Sequence, residues 1–136
     1  METPLPLPPS RPKTVLIVED DGLQRFFLTD MLEDQGMRVL QAANALEAIK
    51  QIETHPEIQL LFTDIQLAGE IDGLDLLRIV HLRWPHVSLL TTSGRLHPHY
   101  AELPSEARFI SKPVQEGEML KEMNALLTNL TYPSGW

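Results

Sequence analysis

Glu19, Asp20, Asp21, Asp64, Ser93 and Lys112 are the residues of this chain best equipped for chemistry, and they are spread over most of its length. Each has a plain explanation when taken alone. Asp20 or Asp21 caps a helix, Asp64 opens a turn, Ser93 is a turn hydroxyl and Lys112 is a solvated charge. As a set they would do more. Carboxylates about 4 Å apart repel by about 4 kcal/mol per contact at an effective dielectric of about 20. Such a cluster either holds a proton or binds a hard cation. Oxygen donors without a neighbouring histidine or thiol suit Mg2+, which keeps several waters and takes few protein ligands. A carboxylate beside Mg2+ and a lysine is equipped to attack phosphorus. The cations neutralise the oxygens of the transferring group, while a Ser93 hydroxyl and nearby amides donate to those left over. The product is an aspartyl phosphate.

These residues can meet only if the fold brings them to one rim, and the hydrophobic pattern says that it does. Thr14–Val18 is a continuous β-branched and apolar run, read as a buried strand that runs into Glu19-Asp20-Asp21-Gly22. Leu23, Phe26, Phe27 and Met31 follow at helical spacing until Gly36 closes the helix. Met37–Gln41 reads as a second strand, and Asn44 with Glu47 three residues later marks the start of a second helix with Leu46, Ile49 and Ile52 on its apolar face. Glu57–Thr63 is a third strand ending at Asp64, and Gly69 and Gly73 punctuate the loop beyond it. Leu74, Leu77, Ile79 and Val80 mark a third helix stopped by Pro85, and His86–Thr92 is a fourth strand. Pro98 and Pro104 leave Gly94–Ala107 weakly helical at best. Arg108–Ser111 is a short fifth strand, and Met119, Leu120, Met123, Leu126 and Leu127 form the core stripe of a terminal helix. The order is strand then helix, five times over. It predicts an α/β fold: a doubly wound, five-stranded parallel sheet with helices on both faces and a short or irregular fourth helix. Ligands of such sheets sit beyond the carboxyl ends of the strands, where Glu19, Asp20, Asp64, Ser93 and Lys112 all fall.

Size and composition limit the alternatives. A chain of 136 residues suits one domain. With no cysteine, disulfides, thiol nucleophiles and cysteine-ligated metals are excluded. A formal charge of −8 gives no basic footprint for nucleic acid. The apolar runs are too short to span a bilayer and no secretion signal opens the chain, so the expectation is a soluble, cytoplasmic protein without membrane insertion. Pro4, Pro6, Pro8, Pro9 and Pro12 make residues 1–12 an extended tail, with 13–131 as the domain and 132–136 as a second tail. Pro6, Pro9 and Arg11 match a loose polyproline-ligand pattern that a plain tail explains as well. His97-Pro98-His99 lacks further metal ligands, and Asn129-Leu130-Thr131 fits a glycosylation pattern without a secretion signal to support it.

The motifs resemble those of response-regulator receiver domains of two-component signalling, of the chemotaxis-regulator-like, stand-alone type, over nearly everything outside the tails. Glu19 and Asp20 resemble the family's acidic pair, Asp20 being its direct Mg2+ ligand, with Asp21 as an additional acid. The resemblance makes Asp64 the phosphoacceptor and the main-chain carbonyl of Gln66 a third protein ligand to Mg2+. It makes Ser93, before the small Gly94, the switch hydroxyl, Phe109 the aromatic switch, and Lys112-Pro113 the phosphate-binding lysine with a usually cis bond to proline. Two departures stand out. The loop after Asp64 has Ala68 where proline is common, with one extra residue before Gly73, and the segment from Ser93 to Lys112 is short.

The resemblance implies Mg2+-dependent acceptance of a phosphoryl group on Asp64 from a sensor histidine kinase or a histidine phosphotransfer protein. The role is that of a signalling protein rather than an enzyme, though one that assists its own phosphorylation and dephosphorylation. Only residues 113–136 follow Lys112, so no output domain is expected, and the signal passes to an unidentified downstream protein, with a homodimer left open. The alternative is a receiver-like interaction module that is never phosphorylated. A phosphohydrolase with a nucleophilic aspartate would want an acid two residues after Asp64, where Gln66 stands.

Overall fold

The computed structural model describes residues 12–94 and 103–128. The stretch 1–11, His97-Pro98-His99, Asn129 and 132–136 lie outside the described residues, as does 95–102, where most of the irregular fourth helix is expected. The elements are β1 (Thr14–Val18), α1 (Gly22–Asp34), β2 (Arg38–Ala42), α2 (Ala45–Thr54), β3 (Ile58–Asp64), α3 (Gly73–Arg83), β4 (Ser88–Ser93), β5 (Arg108–Ser111) and α4 (Glu116–Thr128). The strands form one parallel sheet in the order β2-β1-β3-β4-β5. The chain reverses direction across the sheet at β1 and β3, which sets their carboxyl ends side by side as the ligand crevice of such a sheet.

Side chains alternate along each strand, so the sheet has two cores. Leu16, Val18, Leu61 and Leu89 pack with Ala45, Ala48 and Ile52 of α2 and Leu76, Leu77 and Val80 of α3. Val15, Ile17, Leu60, Phe62, Leu90 and Ile110 pack on the other face with Leu28 and Leu32 of α1 and Met119, Met123 and Leu127 of α4. All five residues of β1 are buried, as befits a strand covered on both faces.

Local signals set the helix ends. Asp21 caps α1, accepting from the amides of Leu23 and Gln24, and its carboxyl lies below its ordinary value because the Gln24 amide, foremost, donates to it. Gly36, with φ of 82°, ends the turn after α1 in a conformation that favours glycine. Asn44 caps α2 by accepting from the Glu47 amide at 2.9 Å, while the Glu47 carboxylate reaches back to the Ala43 amide at 2.7 Å.

Two helical faces differ from the sequence reading. Leu23, Phe26 and Phe27 do not serve as the buried face of α1: they are 66%, 60% and 59% exposed, and Leu28, Thr29 and Leu32 are buried instead. Leu46 is likewise exposed on α2. Helical spacing marks these residues as neighbours on one side without saying which side meets the sheet.

Candidate phosphoryl-acceptor site

Glu19 is the residue after β1, Asp64 the last of β3, Ser93 the last of β4, and Lys112 follows β5 directly. Parallel pairing then does what the sequence could only imply. Val18 pairs with Thr63, Asp64 with Thr92, and Ser93 with Ser111, so all four strand ends lie along one edge.

Lys112 ties the set together. Its Nζ donates to Asp64 Oδ2 at 2.7 Å and to Glu19 Oε1 at 3.4 Å. The other Asp64 oxygen, Oδ1, accepts the Gln66 amide at 2.8 Å. The carboxylate is therefore held at both oxygens. The Lys112 amide donates to the Ser93 carbonyl at 3.2 Å, which fixes the base of the lysine against β4, and the Lys112–Pro113 bond is cis. Glu19, Asp64 and Ser93 are buried, Lys112 is partly exposed, and Asp20 is exposed at the rim.

Charge is unevenly matched here. Burial pushes the Glu19 carboxyl above its ordinary value. The Asp21 amide, donating to Oε2 at 3.2 Å, opposes the rise, contact with Asp20 adds to it, Lys112 lowers it and Asp64 raises it. Burial alone would lower the Lys112 ammonium, but the hydrogen bond and charge of Asp64, followed by Glu19, hold it above its ordinary value. One ammonium thus stands against two buried carboxylates, with the Asp20 carboxyl touching one of them. Asp20 Oδ2 also accepts the Ala68 amide at 3.4 Å, so Asp20 leans toward the loop after β3, the side on which Asp64 lies. Among the described residues no group of three His, Asp or Glu side chains forms a ready-made metal cage. Hard oxygen donors with surplus negative charge and an open rim fit a small dication that retains much of its water.

Gln66 has an exposed side chain, and its amide takes part directly in orienting Asp64. Phe109 is half-buried at the second position of β5, opposite Thr91. Two contributors escaped the sequence reading. Gly73, the first residue of α3, approaches so closely that a Cβ there would fall against the main-chain oxygen of Asp64 and 2.6 Å from Ile65 Cα. A glycine directly after the capping Asp72 is the only sequence hint of that contact. Arg25 places Nη1 2.6 Å from the Glu19 carbonyl oxygen, and a cation in the first turn of a helix is the corresponding hint.

Beside the site lies a cavity of about 570 Å3 lined by Glu19, Thr92 and Lys112 on one side and by Phe27, Leu28 and Met31 of α1 on the other. No described helix is long and apolar enough to cross a membrane.

Comparison with known proteins points the same way. Residues 15–124 match the family model of the response regulator receiver domain. The response regulator receiver protein CpdR of Brucella abortus (strain 2308) is 30% identical over 119 residues, which covers 85% of this chain and 97% of that protein. The sensor kinase CckA of the same organism is 32% identical over 117 residues, covering 81% of this chain and 12% of that protein. Among solved structures, a CheY-like response regulator receiver domain protein from Methanospirillum hungatei JF-1 superposes with a TM-score of 0.80 at 28% identity, covering 88% of this chain and 96% of that one.

Proposed function

The chain belongs to the response regulator receiver domain family, and from that premise we propose that Asp64 accepts a phosphoryl group from a phosphohistidine. The observation that carries this reading is the Lys112 ammonium 2.7 Å from Asp64 and 3.4 Å from the buried Glu19, at the carboxyl ends of the strands. In the transfer, a carboxylate oxygen of Asp64 bonds to phosphorus as the phosphorus–nitrogen bond to the donor imidazole breaks. The imidazole nitrogen leaves with the bonding pair and takes up a proton. Lys112 offsets charge on the phosphoryl oxygens, the Gln66 amide keeps the carboxylate in one orientation, and the Ser93 hydroxyl donates to a phosphoryl oxygen. Asp20, Glu19 and Asp64, with the Gln66 carbonyl, would hold Mg2+, which when bound neutralises the charge that builds on the transferring group.

The donor is a sensor histidine kinase or a histidine phosphotransfer protein, a reading supported by the likeness to a stretch of a sensor kinase. The exposed Leu23, Phe26 and Phe27 give that donor an apolar surface next to the site. Once phosphorylated, Asp64 draws the Ser93 hydroxyl toward it and Phe109 turns inward, which alters a surface read by a downstream protein. The setting is the cytoplasm.

The test mixes the full chain and Asp64→Asn with a phosphorylated histidine phosphotransfer protein in Mg2+. Transfer to the parent chain and none to the variant is expected. Equal transfer to both removes Asp64 from the reaction.

A further inference from the structure

Arg25 breaks a rule of helix electrostatics. It sits in the first turn of α1, where the exposed amides and the helix dipole disfavour a cation, and the acid at that end, the capping Asp21, is taken up by the Leu23 and Gln24 amides. Its amide makes an ordinary helical bond to the Asp21 carbonyl at 2.9 Å. The side chain, though, turns back along the chain. Nη2 is the nearest atom to where a Cβ on Gly22 would lie, at 3.7 Å, and Nη1 donates to the Glu19 carbonyl at 2.6 Å. Among the described residues, Arg25 forms no ion pair with a carboxylate. The Glu19 carbonyl needs such a donor, because the sheet pairing of β1 ends at Val18 on both sides.

That carbonyl belongs to the Glu19–Asp20 peptide, and fixing it limits the rotation that decides where the Asp20 carboxylate points. The Glu19 carboxylate is already pinned by the Asp21 amide and Lys112. Asp20 touches the Glu19 carboxyl and otherwise has the long contact to the Ala68 amide, at 3.4 Å, with no cation paired to it among the described residues. We infer that Arg25 is a positioning residue for the cation site: by clasping the Glu19 carbonyl it holds the Glu19–Asp20 peptide so that the Asp20 carboxylate faces the metal. This rests on the reading of Asp20, Glu19 and Asp64 as Mg2+ ligands.

Charge and position predict opposite signs, which makes the inference testable. A guanidinium near a dication repels it, so deleting Arg25 would strengthen Mg2+ binding if charge were its only effect. The positioning role requires the reverse. Isothermal titration of the full chain with MgCl2 is expected to show Arg25→Ala binding at least about tenfold more weakly, the range for lost supports of metal ligands. Arg25→Met, which keeps the packing of the stem, is expected to lose as much, and Arg25→Lys, which keeps a donor about one bond short of the same carbonyl, to fall between. Circular dichroism checks that each variant is folded. Wild-type affinity or better in a folded Arg25→Ala or Arg25→Met overturns the inference. Absence of Mg2+ binding in the parent chain overturns instead the cation-site reading on which it stands.

Discussion

Glu19 sits where a carboxylate is least welcome: it is buried, with Asp20 and Asp64 close by and only the Asp21 amide and Lys112 to compensate. The net result is a carboxyl whose charged form the fold disfavours, so its charge at neutral pH weakens the folded state. Glu19→Gln keeps the shape and removes the charge. In metal-free buffer it is expected to melt at a higher temperature than the parent. Mg2+ reverses the comparison. A ligand that binds only the folded chain raises its melting temperature, so millimolar Mg2+ should lift the parent, and Glu19→Gln should gain much less. Parallel melting curves with and without Mg2+ check both statements. Lys112 was identifiable from its place before Pro113, but the burial that unsettles Glu19 was not. Burial depends on how closely β1 and β3 are covered, and no local pattern reports that.

At the level of single elements, the junction between β3 and α3 shows what positions Asp64. Gly73 begins α3 with its amide bonded to the Ile65 carbonyl at 2.9 Å and no room for a side chain above Asp64 and Ile65. Gly73→Ala must push main chain aside. The expected cost is about 1–3 kcal/mol of stability, and, on the proposed reading, slower phosphorylation, because the displaced atoms belong to the backbone of Asp64 and Ile65. Gly117, in the first turn of α4, has nothing near its Cβ position, and Gly117→Ala should stabilise by about 0.5 kcal/mol. Chemical denaturation of the two variants separates close approach from simple loss of glycine freedom. The strands were readable because apolar stretches such as Val15–Val18 and Phe109-Ile110 are short and bounded by polar residues. The orientation of α1 was not, since Phe26 and Phe27 belong by spacing to an apolar face that the fold leaves in solvent.

For the molecule as a whole, topology is what turns scattered residues into a site. Five parallel strands in the order β2-β1-β3-β4-β5 put the ends of β1 and β3 next to each other and carry Lys112 across to meet Asp64. That convergence could be anticipated because right-handed strand–helix repeats leave few arrangements open. Arg25 and the Gln66 amide could not be anticipated, because each acts through a main-chain contact that only the folded turn creates. The central claim is that this edge exists to place a phosphoryl group on Asp64 with help from Mg2+. The most direct measurement treats the full chain with a small phosphodonor in Mg2+ or in chelator, reduces any acyl phosphate with borohydride, and maps the modified residue by peptide mass spectrometry. The account predicts modification at Asp64, dependent on Mg2+ and absent from Asp64→Asn. Modification elsewhere, or at equal levels in chelator, would contradict it.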